Sequence, residues 1–462
     1  MIRLIWFAII FSISFFCKVS NAQGTDFQRD RNLNNSPVFA ASACFSGLSG
    51  EDKPIVLSGG ARAILRPEPD AELTAISVCI RMEPDLTIAD AATGEMTVRA
   101  LFGSSSNRSR SDILDSLRRV GGSLETQKTQ EMVSITLLTL PDQVREAIYL
   151  ISESLKNADF SKESLDRALR SILESKLRRD SNAFLSAFSG LKAALQGGLS
   201  PEEADYRRVS TLKADQYFRA RYLPERTIIA ITGKFDPKTV LKSLDNNLVD
   251  FDRKSARAFT RTPVFRGFAP LSLQPLRQYG DSAVAMIACA APGVSDRDYP
   301  AFLTLQALLG GGHSSRLFRQ IRELRGVGYG VGALYNTQNS DPLILYLQWD
   351  TKIEGVHAQS ITPENALAML NSQLDSVLTN PPSEAELARA KSVAIGRDAL
   401  QYERIRNRCF LTAMYEAIGP GYDFGVSLSE LINQVGRSDI KRVVERYLKV
   451  RTSILTLPKK SD

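Results

Sequence analysis

An internal repeat is the feature that most constrains the fold. The segment RYLPERT at residues 221–227 recurs as RYLKVRT at residues 446–452, and each copy is followed by a run typical of a β-strand, IIAIT and SILTL. Self-similarity over a long period indicates that one structural unit occurs twice. The chain has 462 residues, so each half can form a domain of about 200 residues with a core of its own.

The elements before these endings also follow one order in both halves. Each half begins with a strand pattern, AISVCIRM from Ala75 and AVAMIACA from Ala283, and then a helix that ends in a leucine- and glycine-containing turn. A second strand follows, and then a helix with apolar residues at helical spacing. These apolar residues are Val144, Ile148, Ile151 and Leu155 in the first half, and Leu367, Leu370, Leu374 and Val377 in the second.

Serine and threonine residues mark the starts of the long helices. Ser161 and Ser383 are predicted N-caps at equivalent places in the two halves, and Thr362-Pro363 predicts a further helix start. Because sheets and helices must bury each other's apolar faces, the pattern predicts an α+β fold. We expect two homologous domains, each a mostly antiparallel sheet with helices packed on one face.

Composition divides the chain into five segments. Residues 1–22 are predicted to be a signal peptide and residues 23–50, rich in Asn and Ser, a flexible leader. Residues 51–250 form the first predicted domain and residues 279–462 the second. Between them, residues 251–278 contain Pro263, Pro270 and Pro275, which is typical of an extended linker.

The amino terminus predicts export. Arg3 precedes an apolar run from Leu4 to Phe16, and Ser20-Asn21-Ala22 offers a cleavage site after Ala22. The run is shorter than the roughly 20 residues that a spanning helix needs. We therefore expect a secreted or periplasmic protein that has no membrane span after signal cleavage.

Charge and cysteine content constrain the partners only weakly. The formal charge is +7, but Lys and Arg are mixed with acids, and export argues against a nucleic-acid partner. Four cysteines remain after cleavage, and their spacing lacks the C-x-x-C of a metal knuckle. Their disulfide pairing cannot be told from the sequence; they are Cys44, Cys79, Cys289 and Cys409.

The segment GGGHSSRLF at residues 310–318 suggests a phosphate loop or a catalytic histidine. A phosphate loop requires G-x-x-x-x-G-K-[ST], and the lysine is missing. His313 and His357 are the only histidines, and neither has the nucleophile context of a catalytic triad. We predict that the glycines shape a turn before a helix, that His313 is incidental and that His357 lies on the surface.

The segment LLGGGHSSRLFRQIRELRGVGYGVGALY resembles the second-domain signature of the pitrilysin/insulinase family of zinc peptidases, in the branch similar to mitochondrial processing peptidase. The resemblance covers the chain from about Ile55 onward and includes GGSLETQKTQEMVSI at Gly121. It implies a clamshell-like pair of domains around a polar cavity, and peptide or unfolded protein as substrate.

In that family the first domain carries an H-x-x-E-H zinc motif just before a Leu-Phe turn. The resemblance places Glu95, Val98 and Arg99 at the positions of the first histidine, the general-base glutamate and the second histidine. Glu174 falls at the third-ligand position, and Glu131 where the family often has an active-site glutamate. Valine cannot take a proton from water and a guanidinium repels a dication, so we expect no zinc on this chain. Arg99 could instead pair with Glu95 or Glu174.

Members of this branch often work as pairs, in which one chain holds zinc and the other supplies an arginine and a tyrosine that contact the substrate backbone. Arg322 and Tyr329 match the pattern R-x-x-x-x-x-x-Y. The resemblance therefore implies a non-catalytic subunit of an exported zinc metallopeptidase heterodimer, whose partner is a homologous zinc-bearing subunit. The alternative is a binding or assembly protein that kept the fold and takes no part in proteolysis.

Overall fold

Two six-stranded sheets organise the chain, one in each half. The computed structural model describes residues 53–195, 199–251, 271–272, 275–278, 281–335, 342–351 and 361–459, which belong to one compact unit. The strands of the first sheet are β1 (Ile55–Val56), β2 (Arg62–Pro67), β3 (Thr74–Arg81), β4 (Ser123–Lys128), β5 (Met132–Thr139) and β6 (Thr227–Gly233). Those of the second are β7 (Leu271–Ser272), β8 (Leu276–Gln278), β9 (Ser282–Cys289), β10 (Gly330–Leu334), β11 (Leu343–Asp350) and β12 (Arg451–Pro458).

Helices fill the intervals between the strands. The first half contains α1 (Ile88–Ala100), α2 (Arg110–Arg119), α3 (Val144–Asn157), α4 (Lys162–Asp180), α5 (Ala183–Leu195), α6 (Glu203–Arg207), α7 (Thr211–Arg221) and α8 (Pro237–Leu248). The second half contains α9 (Tyr299–Gly310), a π-helix at Phe318–Glu323, α10 (Pro363–Thr379), α11 (Glu384–Tyr402), α12 (Ile405–Ile418), α13 (Phe424–Asn433) and α14 (Arg437–Tyr447).

The sheets are mostly antiparallel, as the sequence predicts. The first has the order β1-β2-β6-β3-β5-β4, in which only the β2–β6 pair is parallel. The second has the order β10-β11-β9-β12-β7, with β8 also paired to β12, and both short strands run parallel to β12. The repeated endings form β6 and β12, which lie next to β3 and β9 respectively. The predicted duplication is therefore confirmed at the level of sheet topology.

The predicted N-caps and apolar faces of the helices are also present in the structure. The side chains of Ser161, Thr362 and Ser383 each accept a hydrogen bond from the backbone N–H three residues later, which is N-cap geometry. All four apolar positions predicted for the first-half helix are buried in α3. In α10, Leu370, Leu374 and Val377 are buried, whereas Leu367 is half-buried at the margin of the core.

Each sheet has a second helical layer that was not predicted from the sequence. Helix α12 of the second half packs on β3 and β6 of the first sheet, and α5 of the first half packs on β9 and β12 of the second. Ala75 and Cys79 of β3 belong to the core shared with α12, while Ile76, Val78 and Ile80 belong to the core under the helices of the first half. Each sheet is thus covered on both faces, once by its own half and once by the other.

Part of the predicted linker belongs to the second sheet. Strands β7 and β8 lie inside residues 251–278 and pair with β12, and Pro275 directly precedes β8. Proline has no N–H to donate to a ladder, so short edge strands beside prolines are where such segments can join a sheet. The rest of the linker, the signal peptide, the leader and Cys44 lie outside the described residues.

The described cysteines are free thiols. Cys79, Cys289 and Cys409 are all buried, in β3, β9 and α12 respectively. The thiol of Cys409 lies 3.2 Å from the carbonyl oxygens of Ala75 and Ala230, within the contact between the halves. Burial raises the pKa of each thiol, which disfavours the reactive thiolate. In the described ranges no helix is both long and apolar enough to cross a bilayer.

Gly310 at the end of α9 is required by a close approach to β10. A Cβ at this position would lie 2.1 Å from the backbone nitrogen of Ala333. Gly310→Ala is therefore expected to lower the free energy of unfolding by about 1 to 3 kcal/mol, measured by chemical denaturation. Gly396→Ala is the matched control, because nothing lies within 4 Å of its Cβ and an alanine inside α11 should stabilise by about 0.5 to 1 kcal/mol. Equal effects of the two substitutions would contradict the packing argument.

Candidate functional site

Helix α1 carries the three residues predicted to replace a zinc motif. It begins after Thr87, whose side chain caps the helix by accepting from the backbone N–H of Asp90, and it packs against α4, α6 and α7. Val98 is buried on the core side of the helix, whereas Glu95 is half-buried and Arg99 exposed. Position 98 therefore contributes packing and has no group that could transfer a proton.

Glu95 and Arg99 interact with each other and with neighbouring helices. Arg99 Nη2 lies 3.9 Å from Glu95 Oε1, and Arg99 Nη1 donates to Ser171 Oγ of α4 at 3.2 Å. Tyr206 of α6 donates from its hydroxyl to Glu95 Oε2 at 2.6 Å. Burial and the charge of Glu95 raise the pKa of the Tyr206 phenol, so it remains a neutral donor.

Glu174 does not join this cluster. It is exposed on α4, one turn after Ser171, and makes no hydrogen bond or ion pair with any other described residue. Of the two pairings predicted for Arg99, the structure shows the one with Glu95. Glu131 lies in the turn between β4 and β5, where its backbone carbonyl accepts from the N–H of Met82 at 2.7 Å.

The side chains at these positions do not fit a catalytic zinc ion. Such an ion needs three protein ligands drawn from histidines, cysteines and carboxylates, and a base near its water. Across the described ranges, no group of three His, Cys, Asp or Glu side chains could hold a metal. Glu95 is committed to Tyr206 and Arg99, and the guanidinium adds positive charge where a dication would sit. These side chains instead form hydrogen bonds and an ion pair with one another and with neighbouring helices.

A buried ionic cluster next to α1 was not predicted from the sequence. The Asp85 carboxylate is bound by Lys128 of β4 and by the Tyr217 hydroxyl of α7 at 3.0 Å, with Arg221 Nη1 at 3.6 Å. A Cβ on Gly94 would lie 2.5 Å from the Tyr217 hydroxyl, so glycine lets α1 approach this cluster. The partners are far apart in sequence, so no local pattern could reveal them. The cluster fixes α1 relative to the edge strand β4.

Two substitutions test how the residues around α1 are held. Arg99→Ala is expected to change the free energy of unfolding by no more than about 0.5 kcal/mol, because the ion pair is exposed and long. Tyr206→Phe should cost about 1 to 2 kcal/mol, because it removes a short hydrogen bond to a half-buried carboxylate. Urea denaturation of both variants checks the order, and a larger loss for Arg99→Ala would contradict it.

The second predicted pair, Arg322 and Tyr329, lies at an edge of the second sheet. Arg322 belongs to the π-helix and Tyr329 directly precedes the edge strand β10. Arg322 Nη1 donates to the backbone carbonyl of Tyr329 at 2.8 Å, and its guanidinium lies 5.4 Å from the ring centre of Phe318. Tyr329 is 47% exposed. The structure thus brings the arginine–tyrosine pair together on the surface.

The turn before the π-helix is built as the sequence predicts. Gly310 packs against β10 and Gly312 has a φ of 129°, a left-handed value that favours glycine. His313 is exposed and its ring contacts Phe318 edge-on, with centroids 4.5 Å apart. His357 lies outside the described residues.

Arg316 anchors this turn, although no local sequence pattern marks it. Its guanidinium forms a two-point pair with Glu386 of α11, at 2.7 and 2.9 Å, and also donates to the carbonyls of Ser376 and Asn380. The hydrogen bond from Arg316 is the largest cause of the lowered pKa of Glu386. The start of the π-helix is therefore fixed to α10 and α11, which holds Arg322 in place.

No hydrogen bond or ion pair between described residues joins the arginine–tyrosine pair to the cluster around Glu95. The two groups border different sheets, α1 against the first and the π-helix beside the second. Each is therefore a separate candidate. Among contacts between described residues, the arginine–tyrosine pair is the one whose exposed donors have no acidic partner.

Comparison with known proteins identifies the relatives of this chain. A family profile described as the peptidase M16 inactive domain matches residues 209–393. An uncharacterized zinc protease of Mycobacterium leprae is 26% identical over 288 residues, which is 60% of this chain and 64% of that protein, less than two thirds of its length. A protein of Helicobacter pylori named non-peptidase homolog YmxG is 25% identical over 346 residues, 72% of this chain and 75% of that protein.

Solved structures share the fold. A protease from Helicobacter pylori superposes with a TM-score of 0.75 at 14% identity, covering 88% of this chain and 99% of that one. A peptidase M16 inactive domain from Pseudomonas fluorescens gives a TM-score of 0.74 at 16% identity, covering 89% and 98%. The predicted two-domain α+β fold is confirmed.

Proposed function

We propose that this chain, whose residues 209–393 match the peptidase M16 inactive domain and whose fold is shared with a solved example of it, is the non-catalytic subunit of an exported zinc metallopeptidase heterodimer. In this proposal a homologous subunit holds the zinc, and this chain binds the backbone of a peptide or unfolded protein. The observation that carries the proposal is the arginine–tyrosine pair. Its two side chains are exposed and adjacent, and Arg322 donates to the Tyr329 carbonyl, while the positions of the metal motif hold Glu95, Val98 and Arg99.

The chemistry of the pair suits a polypeptide backbone. A guanidinium offers five N–H donors in a planar fork, and a phenol offers one O–H. Both can bind a peptide carbonyl oxygen and the negative charge that develops on it during hydrolysis. Neither group can itself activate water, so hydrolysis requires the zinc and base of the partner.

The test is reconstitution. The full chain is co-expressed with a homologue from the same genome that has an intact H-x-x-E-H motif, and the complex is analysed by light scattering, zinc content and cleavage of an unfolded polypeptide. We expect a one-to-one complex with one zinc ion and activity that neither chain has alone. A homologue that is fully active by itself and does not bind this chain would overturn the proposal.

A second candidate is a binding or assembly protein that takes no part in proteolysis. The relative named non-peptidase homolog favours it. The two candidates differ in one result of the reconstitution: a complex that forms but whose cleavage rate is independent of Arg322 and Tyr329 supports the binding protein. Metal analysis of the lone chain tests whether it is an active zinc peptidase by itself. A stoichiometric zinc ion together with peptidase activity would contradict both candidate functions.

A further inference from the structure

A chain of polar side chains lies behind Tyr329. The Tyr329 hydroxyl is 2.6 Å from Ser282 Oγ, and Gln348 Nε2 donates to the same Ser282 oxygen at 2.9 Å. Gln348 of β11 pairs with Val284, two residues from Ser282 in β9, so the two side chains lie on one face of the sheet. The backbone N–H of Tyr329 also donates to the Gln348 carbonyl at 3.1 Å. Strands β9 and β11 thus hold the phenol from behind.

The amide of Gln348 sets the direction of the hydrogen bond at one end of this chain. An amide N–H can only donate, so Ser282 Oγ accepts from Gln348. The single proton of Ser282 is then free to point at the phenol oxygen, and a hydroxyl that accepts on one side becomes a better donor on the other. When the Ser282 proton points at the phenol, the Tyr329 oxygen accepts a hydrogen bond from Ser282, and the phenolic proton points away from the sheet.

We propose that Gln348 and Ser282 are positioning residues that turn the phenolic proton of Tyr329 outward, toward an acceptor oxygen of the bound polypeptide. This inference rests on the proposed function and deepens it. Arg322 already uses one N–H to hold the Tyr329 carbonyl and has no acidic partner within the described part of the chain. The Arg322 and Tyr329 side chains then both present donors, so the pair favours backbone carbonyl oxygens of an extended polypeptide over its N–H groups.

The hydrogen-bonded chain from Gln348 through Ser282 to Tyr329 forms a relay. Its role is tested by binding measurements on the full-length protein. The probe is a fluorescein-labelled β-casein peptide, used with an amidated C-terminus and with a free carboxylate, and binding is followed by fluorescence anisotropy. We expect Ser282→Ala to weaken binding of the amidated peptide about fivefold to tenfold and Ser282→Thr to restore it. Ser392→Ala is the matched control, since that exposed hydroxyl donates to a carbonyl of its own helix and forms no other hydrogen bond with a described residue. A preference confined to the free carboxylate would show a terminal-carboxylate site and overturn the backbone assignment.

Infrared spectroscopy reads the direction of the relay independently of binding. The difference spectrum between the protein and Tyr329→Phe isolates the phenol C–O stretching band of Tyr329, which distinguishes a hydroxyl that accepts from one that donates to the protein. We expect an accepting band. Gln348→Glu keeps the shape but can only accept from Ser282, so it should reverse the relay, convert the band to that of a donor and weaken peptide binding. Melting curves confirm that each variant is folded.

The outcomes separate this inference from the function beneath it. If Tyr329→Phe leaves peptide binding unchanged, the proposed function of the arginine–tyrosine pair fails. If Tyr329→Phe weakens binding while Ser282→Ala and Gln348→Glu do not, the pair stands and the relay is overturned. A donating band in the unmodified protein would overturn the relay whatever the binding result.

Discussion

Tyr329→Phe is expected to lower the turnover of the reconstituted enzyme by about 30-fold to 1000-fold, which corresponds to roughly 2 to 4 kcal/mol of transition-state stabilisation. The magnitude follows from the role of the hydroxyl as a donor to an oxygen that becomes negative as the peptide bond is attacked. A donor that is fixed before the reaction needs no reorganisation, and the contact with Ser282 fixes this one. Arg322→Ala should have an effect of the same size.

Assembly should be unaffected by these substitutions. Tyr329 is 47% exposed and Arg322 lies on the surface, so neither loss opens a cavity in the core. Tyr149→Phe is the matched control, because it removes the hydroxyl of a tyrosine in α3 that forms no hydrogen bond with another described residue. Steady-state kinetics and sedimentation of the complex give both readouts. Unchanged turnover in Tyr329→Phe and Arg322→Ala would remove the assigned role.

The fold was largely predictable because its signals are local. Caps at Ser161, Thr362 and Ser383 and the apolar spacing of α3 and α10 depend on neighbours along the chain. The repeat then placed these elements in the same order twice. Arg322 and Tyr329 are seven residues apart, so their proximity also follows from short-range geometry.

The packing of a helix from each half on the sheet of the other half was not predicted, although the sequence of the strands indicates that both faces are covered. Seven consecutive residues of β3, from Thr74 to Ile80, are buried, as are all seven residues of β6. Continuous apolar runs are typical of strands covered on both faces, whereas a sheet with one wet face alternates. The runs AISVCI and IIAIT therefore indicated a second layer. Their sequence could not show that α12 of the other half supplies it.

Long-range polar contacts were the least predictable part. Arg316 and Glu386 are 70 residues apart, and Lys128 and Asp85 are 43 apart. Charged residues of this kind look like ordinary surface residues in a sequence, because nothing local distinguishes a paired side chain from a solvated one. Only the folded topology brings these residues together. The long-range contacts that hold both candidate sites in place were therefore found from the structure and could not be predicted from the sequence.

The buried carboxyl of Asp398 is the basis of the second large effect. Asp398 lies in α11, is 7% exposed and forms no hydrogen bond with any other described residue. Asp398 interacts electrostatically with Tyr299 of α9, Tyr402 of α11 and Tyr415 of α12. Arg66 of β2 lies close to Tyr402. Burial raises the pKa of Asp398 from 3.8 to about 7. The folded protein therefore holds a proton that the unfolded chain releases between about pH 4 and pH 7.

Because the folded-state pKa is the higher one, stability falls as the pH rises through this window, and above about pH 7 the full cost of a buried charge remains. Asp398→Asn removes that cost, so it should raise the free energy of unfolding at pH 8 by roughly 2 to 4 kcal/mol and have little effect at pH 4. Urea denaturation at both pH values measures the difference, with Asp166→Asn on the exposed face of α4 as the control. Parallel pH profiles for Asp398→Asn and the unmodified protein would show that Asp398 is ionised at pH values well below 7, and that its burial carries no such cost.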